Sequence, residues 1–169
     1  LVRQKWLDNY FYGLTYALTY ETKQLNATIG GAVNRYDGDH TGKVIWVRNA
    51  NNLDMSKLWY KSNSVKDDAN VYAKINAELF EGFFASVDLQ YRYISYSMNG
   101  TDDKYDEKNN TMRNITTAKP YQYHFFNPKA GLTYKMNDKQ SVYASFSVSN
   151  REPNRNNYTE RSLTAAKPT

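Results

Sequence analysis

Tyr10-Phe11-Tyr12-Gly13-Leu14-Thr15-Tyr16-Ala17-Leu18-Thr19-Tyr20 decides the fold. Every even position is Tyr or Leu. The positions between them are small or polar, Phe11 excepted. Side chains that alternate in this way fall on opposite faces of a β-strand, one bulky and one slight. Leu25, Ala27, Ile29, Gly31 and Val33 repeat the pattern against Asn26, Thr28, Gly30, Ala32 and Asn34. Only Glu21-Thr22-Lys23-Gln24 separates the two runs, the length of a hairpin turn. Pairing Tyr20 with Leu25 sets Tyr16 across from Ile29 and keeps the apolar faces together.

Two further hairpins follow. Val71, Ala73, Ile75, Ala77 and Leu79 alternate with polar residues, Phe80-Glu81-Gly82 turns the chain, and Phe83 to Tyr93 alternates again. Gly82 falls where a bulged turn needs positive φ. This register places Lys74 across from Asp88, an opposite-charge pair on the polar face. In the third, Phe126, Pro128, Ala130, Leu132 and Tyr134 share a face, Asn137-Asp138 marks the turn, and Val142, Ala144, Phe146 and Val148 return. The fold class expected is all-β: an antiparallel meander of about six strands in three hairpins, at about 9–34, 70–97 and 121–149. Long loops are expected at about 35–69, 98–120 and 150–169, all at one end of the strands.

Composition excludes several alternatives. The 169 residues contain no Cys, so there is no disulfide framework and no thiolate metal or redox site. The apolar runs are too short for a transmembrane helix, and the start, Leu1-Val2-Arg3-Gln4-Lys5, does not read as a signal peptide. With 16 Tyr and 7 Phe the chain is too aromatic for a disordered segment. The net charge of +5 is spread among acids, as in Asp102-Asp103-Lys104-Tyr105-Asp106-Glu107-Lys108, so no basic face for nucleic acid is expected.

Short turns at one end and long loops at the other describe an outer-membrane barrel, whose brief turns face the periplasm. Ten alternating residues at ~3.4 Å each and ~45° tilt span about 24 Å, close to the apolar band of such barrels. Lys74, Glu78, Asp88, Gln90, Arg92 and Lys129 on the other face suit a wet lumen. Tyr10, Tyr12, Tyr20, Tyr91, Tyr93 and Tyr134 fall near strand ends, where an aromatic girdle meets the lipid interface. The same alternation also describes a secreted or cell-surface adhesin-like sheet, or a sandwich with one hydrated face. Six strands do not close a barrel, which needs about eight, and both ends read as cuts, so a fragment is expected.

Phe126-Asn127-Pro128-Lys129-Ala130-Gly131-Leu132-Thr133-Tyr134, the Asn-Asp turn, Ser141-Val142-Tyr143-Ala144-Ser145-Phe146-Ser147 and Asn150-Arg151-Glu152-Pro153-Asn154 together resemble the barrel of TonB-dependent outer-membrane receptors. The Asn-Arg-Glu-Pro form, with Arg35-Tyr36-Asp37-Gly38-Asp39-His40, is similar to receptors of Bacteroidetes-type bacteria. The resemblance implies a plugged barrel of roughly 22 strands in the outer membrane of a Gram-negative bacterium. It implies uptake of a scarce iron chelate, cobalamin or oligosaccharide, driven by the TonB complex through parts absent from this chain. Outer-membrane lipid, TonB and a small-molecule or glycan ligand are thus the partners implied, and an isolated piece is expected to self-associate through its unpaired edges.

No enzyme is expected: no nucleophile motif is present, and no catalytic residue, metal site or cofactor is assigned. Ligand contact is expected of the loops. Trp46 and Trp59 offer flat apolar faces; Arg35, Arg151 and Arg155 offer planar forks for carboxylate or phosphate; Asp37 and His40 offer polar groups beside them. The competing readings are that the Trp side chains pack the loops, that Asp37-Gly38 simply starts a turn, and that Arg151, Glu152 and Pro153 brace a strand end.

Overall fold

A computed structural model describes residues 1–49 and 54–154. Seven antiparallel strands run β1 (Val2–Glu21), β2 (Leu25–Trp46), β3 (Leu58–Phe80), β4 (Phe83–Asp106), β5 (Thr111–Asn114), β6 (Tyr121–Asn137) and β7 (Gln140–Ser147). Their order in the sheet is β1-β2-β3-β4-β6-β7, with β5 paired to β4. This is the meander of three hairpins that the alternation requires, plus one short strand.

The strands are longer than expected. Most of the stretch assigned to a loop at 35–69 is strand, because β2 continues to Trp46 and β3 already starts at Leu58. The loop assigned to 98–120 likewise contains the end of β4 and all of β5. The reason is chemical. Beyond Val33 and before Val71, the positions that continue the apolar face include Arg35, Asp37, Asp39, Asn63 and Asp67, which break its run. Pairing persists after the hydrophobic period has vanished, so a reading based on that period stops too early. Of the loop assigned to 150–169, residues 150–154 are irregular and the rest lie outside the described residues.

The first hairpin closes more tightly than the sequence suggests. The Thr22 N–H donates to the Leu25 carbonyl (2.7 Å), and the Thr19 and Thr28 hydroxyls meet at 3.1 Å. The loop is therefore Lys23-Gln24, and the register moves by two residues, which keeps every side chain on its expected face. In the second hairpin the expected turn and pairing hold. Gly82 has φ 76°, and Lys74 Nζ lies 3.8 Å from Asp88 Oδ2. Leu132 pairs with Ala144 and Tyr134 with Val142.

The chain forms two compact units cut from the same strands: Leu1–Tyr12, Asn34–Asp67 and Ser95–Gln122 in one, Gly13–Val33, Asp68–Ile94 and the chain from Tyr123 in the other. In the second unit the bulky face does not converge into a core. Leu14 is 69% exposed, Ile29 52%, Ile75 47%, Leu89 41%, Leu132 49% and Phe146 66%. Two aromatic clusters bound this face. Phe80 stacks on Phe83 (4.7 Å) near Tyr134 at the short-turn end, and Tyr91 and Tyr93 flank His124 toward the other end. The large buried hydrophobic residues of this unit, Ile94, Tyr123 and Phe125, occupy the positions of the opposite face.

Tyrosines cover the four glycines of β2. Tyr72 lies over Gly30, Tyr16 over Gly31, Tyr36 over Gly38 and Tyr60 over Gly42. A glycine in a strand leaves a hole beside the backbone, and an aromatic ring laid across it recovers the lost packing. Four of the 16 tyrosines thus have a structural use inside the sheet. In the first unit, Tyr60 is buried in this way together with Ser62, Ser64, Met98, Asp102 and Ile115.

Candidate functional site

The unit that carries the apolar face presents a polar surface on its other side. Even-numbered positions of β3 and β4 bring Asp68, Tyr72, Lys74, Asp88, Gln90 and Arg92 there, as strand alternation demands. Arg92 Nε donates to both Asp68 oxygens (3.1 Å each), and its Nη2 donates to Oδ2 as well. Glu152 Oε1 lies 3.9 Å from the same guanidinium. The chain after β7 is tied down nearby. Asn150 N–H donates to Asn127 Oδ1 (2.9 Å), Asn150 Nδ2 donates to the Phe126 carbonyl (3.0 Å), and Pro153 is buried. Asn127 in turn donates to Gln90 Oε1 (3.2 Å). A shallow cleft of about 370 Å³ opens between Tyr72, Lys74, Asp88, Gln90, Asn127 and Lys129.

The expected ligand contacts are distributed differently from the sequence reading. Arg35 pairs with Asp67 (3.3 Å). Asp37 and Asp39 share the two amide hydrogens of Asn63, at 2.7 and 2.9 Å. These groups lie on the β2–β3 ladder rather than in a loop. His40 is half-buried further along β2. Trp46 ends β2 with half its surface exposed. Trp59 is held firmly: its indole N–H donates to Met112 Sδ (3.1 Å), Tyr60 meets it edge-on at 5.7 Å, and the Arg3 guanidinium stacks 4.4 Å from its ring centre. Arg151 is exposed beyond β7, and Arg155 lies outside the described residues. The structure therefore groups Arg35, Asp37 and the acids of β2 and β3 in one ladder, and puts Trp59 in a separate aromatic cluster.

Sequence reasoning missed Asp68 and Glu152 as partners of Arg92, and Arg3 as the partner of Trp59. The spacing of alternate residues does put Asp68 and Arg92 on one face, and the polar residues at 88–92 were a usable signal. Nothing local signals the Arg3 contact, because β1 and β3 are far apart in sequence.

Electrostatics within the first unit are dominated by ion pairs. Lys5 bonds to Asp103, which raises the lysine pKa and lowers that of the aspartate. The aspartate's share of that pairing is lost as pH falls below the ordinary carboxylate range, and the lysine's as pH rises above its own. Lys5 is exposed and Asp103 only half-buried, so the pair is worth little to stability. Arg113 pairs with the buried Asp102 across the β4–β5 ladder. Among the described residues, no group of three or more His, Asp or Glu is placed to hold a metal ion.

The second unit thus has one greasy face bounded by aromatic rows and one polar face crossed by hydrogen bonds. A comparison with protein families finds that the model described as TonB dependent receptor-like, beta-barrel, matches residues 3–168. A search of curated proteins finds no match.

Proposed function

Because the chain belongs to the TonB-dependent receptor β-barrel family, a family of outer-membrane receptors and transporters rather than enzymes, we propose that it forms part of the wall of a receptor that takes up a scarce ligand: an iron chelate, a cobalamin or an oligosaccharide. The observation that carries this reading is the exposed bulky face. Six large aliphatic or aromatic side chains in one unit keep 41–69% of their surface exposed, and rows of aromatic residues stand at both of its ends. Hydrocarbon is the solvent that makes such a face favourable, at roughly 1.5–3 kcal/mol for each Leu or Ile removed from water.

The other features agree. Strands of 20 to 24 residues in β1 to β4 are about twice the length that the apolar band requires, ample to cross it. The polar face lines the lumen. Asn150-Arg151-Glu152-Pro153 starts an outer loop, and Glu152 anchors that loop to Arg92 on the barrel wall. This four-residue form supports a Bacteroidetes-type receptor in a Gram-negative outer membrane, energised by the TonB complex. Among the described residues β1 and β7 each have a single strand neighbour, so the sheet in isolation self-associates through its edges.

The test is cellular. In the source bacterium, the protein fractionates with the outer membrane, and deleting its gene abolishes accumulation of one labelled ligand among ferric chelates, cobalamin and oligosaccharides. Disrupting TonB gives the same loss. Recovery of the protein from the medium as a soluble species, with uptake of every ligand unchanged, refutes the proposal and favours a secreted adhesin.

A further inference from the structure

Four arginines lie on the strands, and three have a carboxylate: Arg35 with Asp67, Arg92 with Asp68 and Arg113 with Asp102. Arg3 is the exception. Among the described residues no carboxylate lies within ion-pair distance of it, and its guanidinium instead rests 4.4 Å from the centre of the Trp59 ring. Its neighbour on β1, Lys5, has already taken Asp103.

The platform beneath Arg3 is built rather than incidental. The Trp59 indole is fixed by its bond to Met112 Sδ and by the edge of Tyr60. Tyr60 is itself buried because Gly42, lacking a Cβ, lets its ring lie flat against β2. A guanidinium held over an indole keeps its edge N–H groups free to donate to a planar or tetrahedral anion. A ring face accepts none of the five guanidinium N–H groups at its edge, and among the described residues none of them finds a hydrogen-bond acceptor.

We infer that Arg3 on Trp59 is an anion subsite of the receptor, taking a carboxylate- or phosphate-bearing ligand through the guanidinium fork, with the indole packing against an apolar part of the same ligand. The inference rests on the reading of the chain as a receptor, and narrows its ligand to the anionic class. A neutral oligosaccharide can accept single hydrogen bonds from the fork but leaves its charge uncompensated.

Titration of the intact receptor in detergent tests it, with citrate as the anionic probe, maltotriose as the neutral one, and Trp fluorescence as the readout. The expected result is saturable quenching by citrate that weakens with added salt, and no response to maltotriose. Arg3→Gln loses about tenfold or more in citrate affinity, as expected for a lost charge-assisted bidentate contact, and Arg3→Lys loses less. Trp59→Phe, which retains a ring, removes the fluorescence change while equilibrium dialysis still detects weakened citrate binding. Equal citrate affinity in wild type and Arg3→Gln overturns the subsite, as does absence of saturable citrate binding, or maltotriose binding that Arg3→Gln abolishes. Heat-modifiable gel mobility of each variant reports folding independently. Failure of the subsite leaves outer-membrane fractionation and TonB-dependent uptake intact, whereas failure of the receptor reading removes both.

Discussion

Replacing Leu89 with Arg separates a lipid-facing sheet from a water-facing one. Leu89 lies six residues along β4 from Phe83 and is 41% exposed. At ~3.4 Å per residue and ~45° tilt it stands about 14 Å from the short-turn end of an apolar band about 25 Å tall, close to the bilayer midplane. An arginine at that depth on the lipid face costs ~2–4 kcal/mol, or roughly 30- to 900-fold in the folding equilibrium. The same change at Tyr93, ten residues from Phe83 and at the edge of the band beside His124, costs about 0–1 kcal/mol. On a sheet facing water, both changes fall within about 0.5 kcal/mol of neutral. The assay is reversible folding of the intact receptor into phospholipid vesicles across a denaturant series, scored by heat-modifiable gel mobility. Equal effects of Leu89→Arg and Tyr93→Arg refute the depth argument.

Three other outcomes follow from named contacts. Asp88→Lys puts two cations face to face across β3 and β4 and destabilises the hairpin by ~0.5–1 kcal/mol, while adding Lys74→Asp restores most of the loss in a double-mutant cycle. Gly42→Ala forces the buried Tyr60 ring off β2 and costs ~1–3 kcal/mol in the same vesicle assay, whereas Tyr60→Ala relieves the clash and makes the second change at Gly42 nearly free. Arg92→Leu leaves Asp68 half-buried without its cation and frees Glu152, so hydrogen exchange of the amides at 149–154 rises sharply while that of β1 amides does not change.

How far the sequence could be read depended on how strongly each stretch was patterned. Leu14, Ile29, Ile75, Leu89, Leu132 and Phe146 declare one face because each strand repeats every second residue, and that face is the one left exposed. The Gly82 turn was legible from its glycine, and with it the Lys74–Asp88 pair. The Lys23-Gln24 turn has neither Gly nor Asn, so nothing in its composition distinguishes a two-residue loop from a four-residue one. Strand continued through Arg35 to Trp46 unseen because polar residues such as Arg35, Asp37, Asp39 and His40 occupy both faces there, and alternation of polar with polar has no period. The candidate site was the least legible part. The Arg3–Trp59 stack joins β1 to β3, and Arg92 joins two strands to the segment after β7; contacts of that kind depend on register, which hydrophobic pattern alone does not specify.

The central claim is that the bulky face meets hydrocarbon. A nitroxide spin label scanned one residue at a time from Phe84 to Tyr91 on β4, with the receptor in vesicles, measures it through collision with oxygen and with a water-soluble nickel chelate. The account predicts a strict two-residue alternation: high oxygen and low nickel accessibility at Ala85, Val87, Leu89 and Tyr91, and the reverse ratio at Phe84, Ser86, Asp88 and Gln90. A flat profile, or nickel accessibility at Val87 and Leu89 as high as at Asp88, would contradict it.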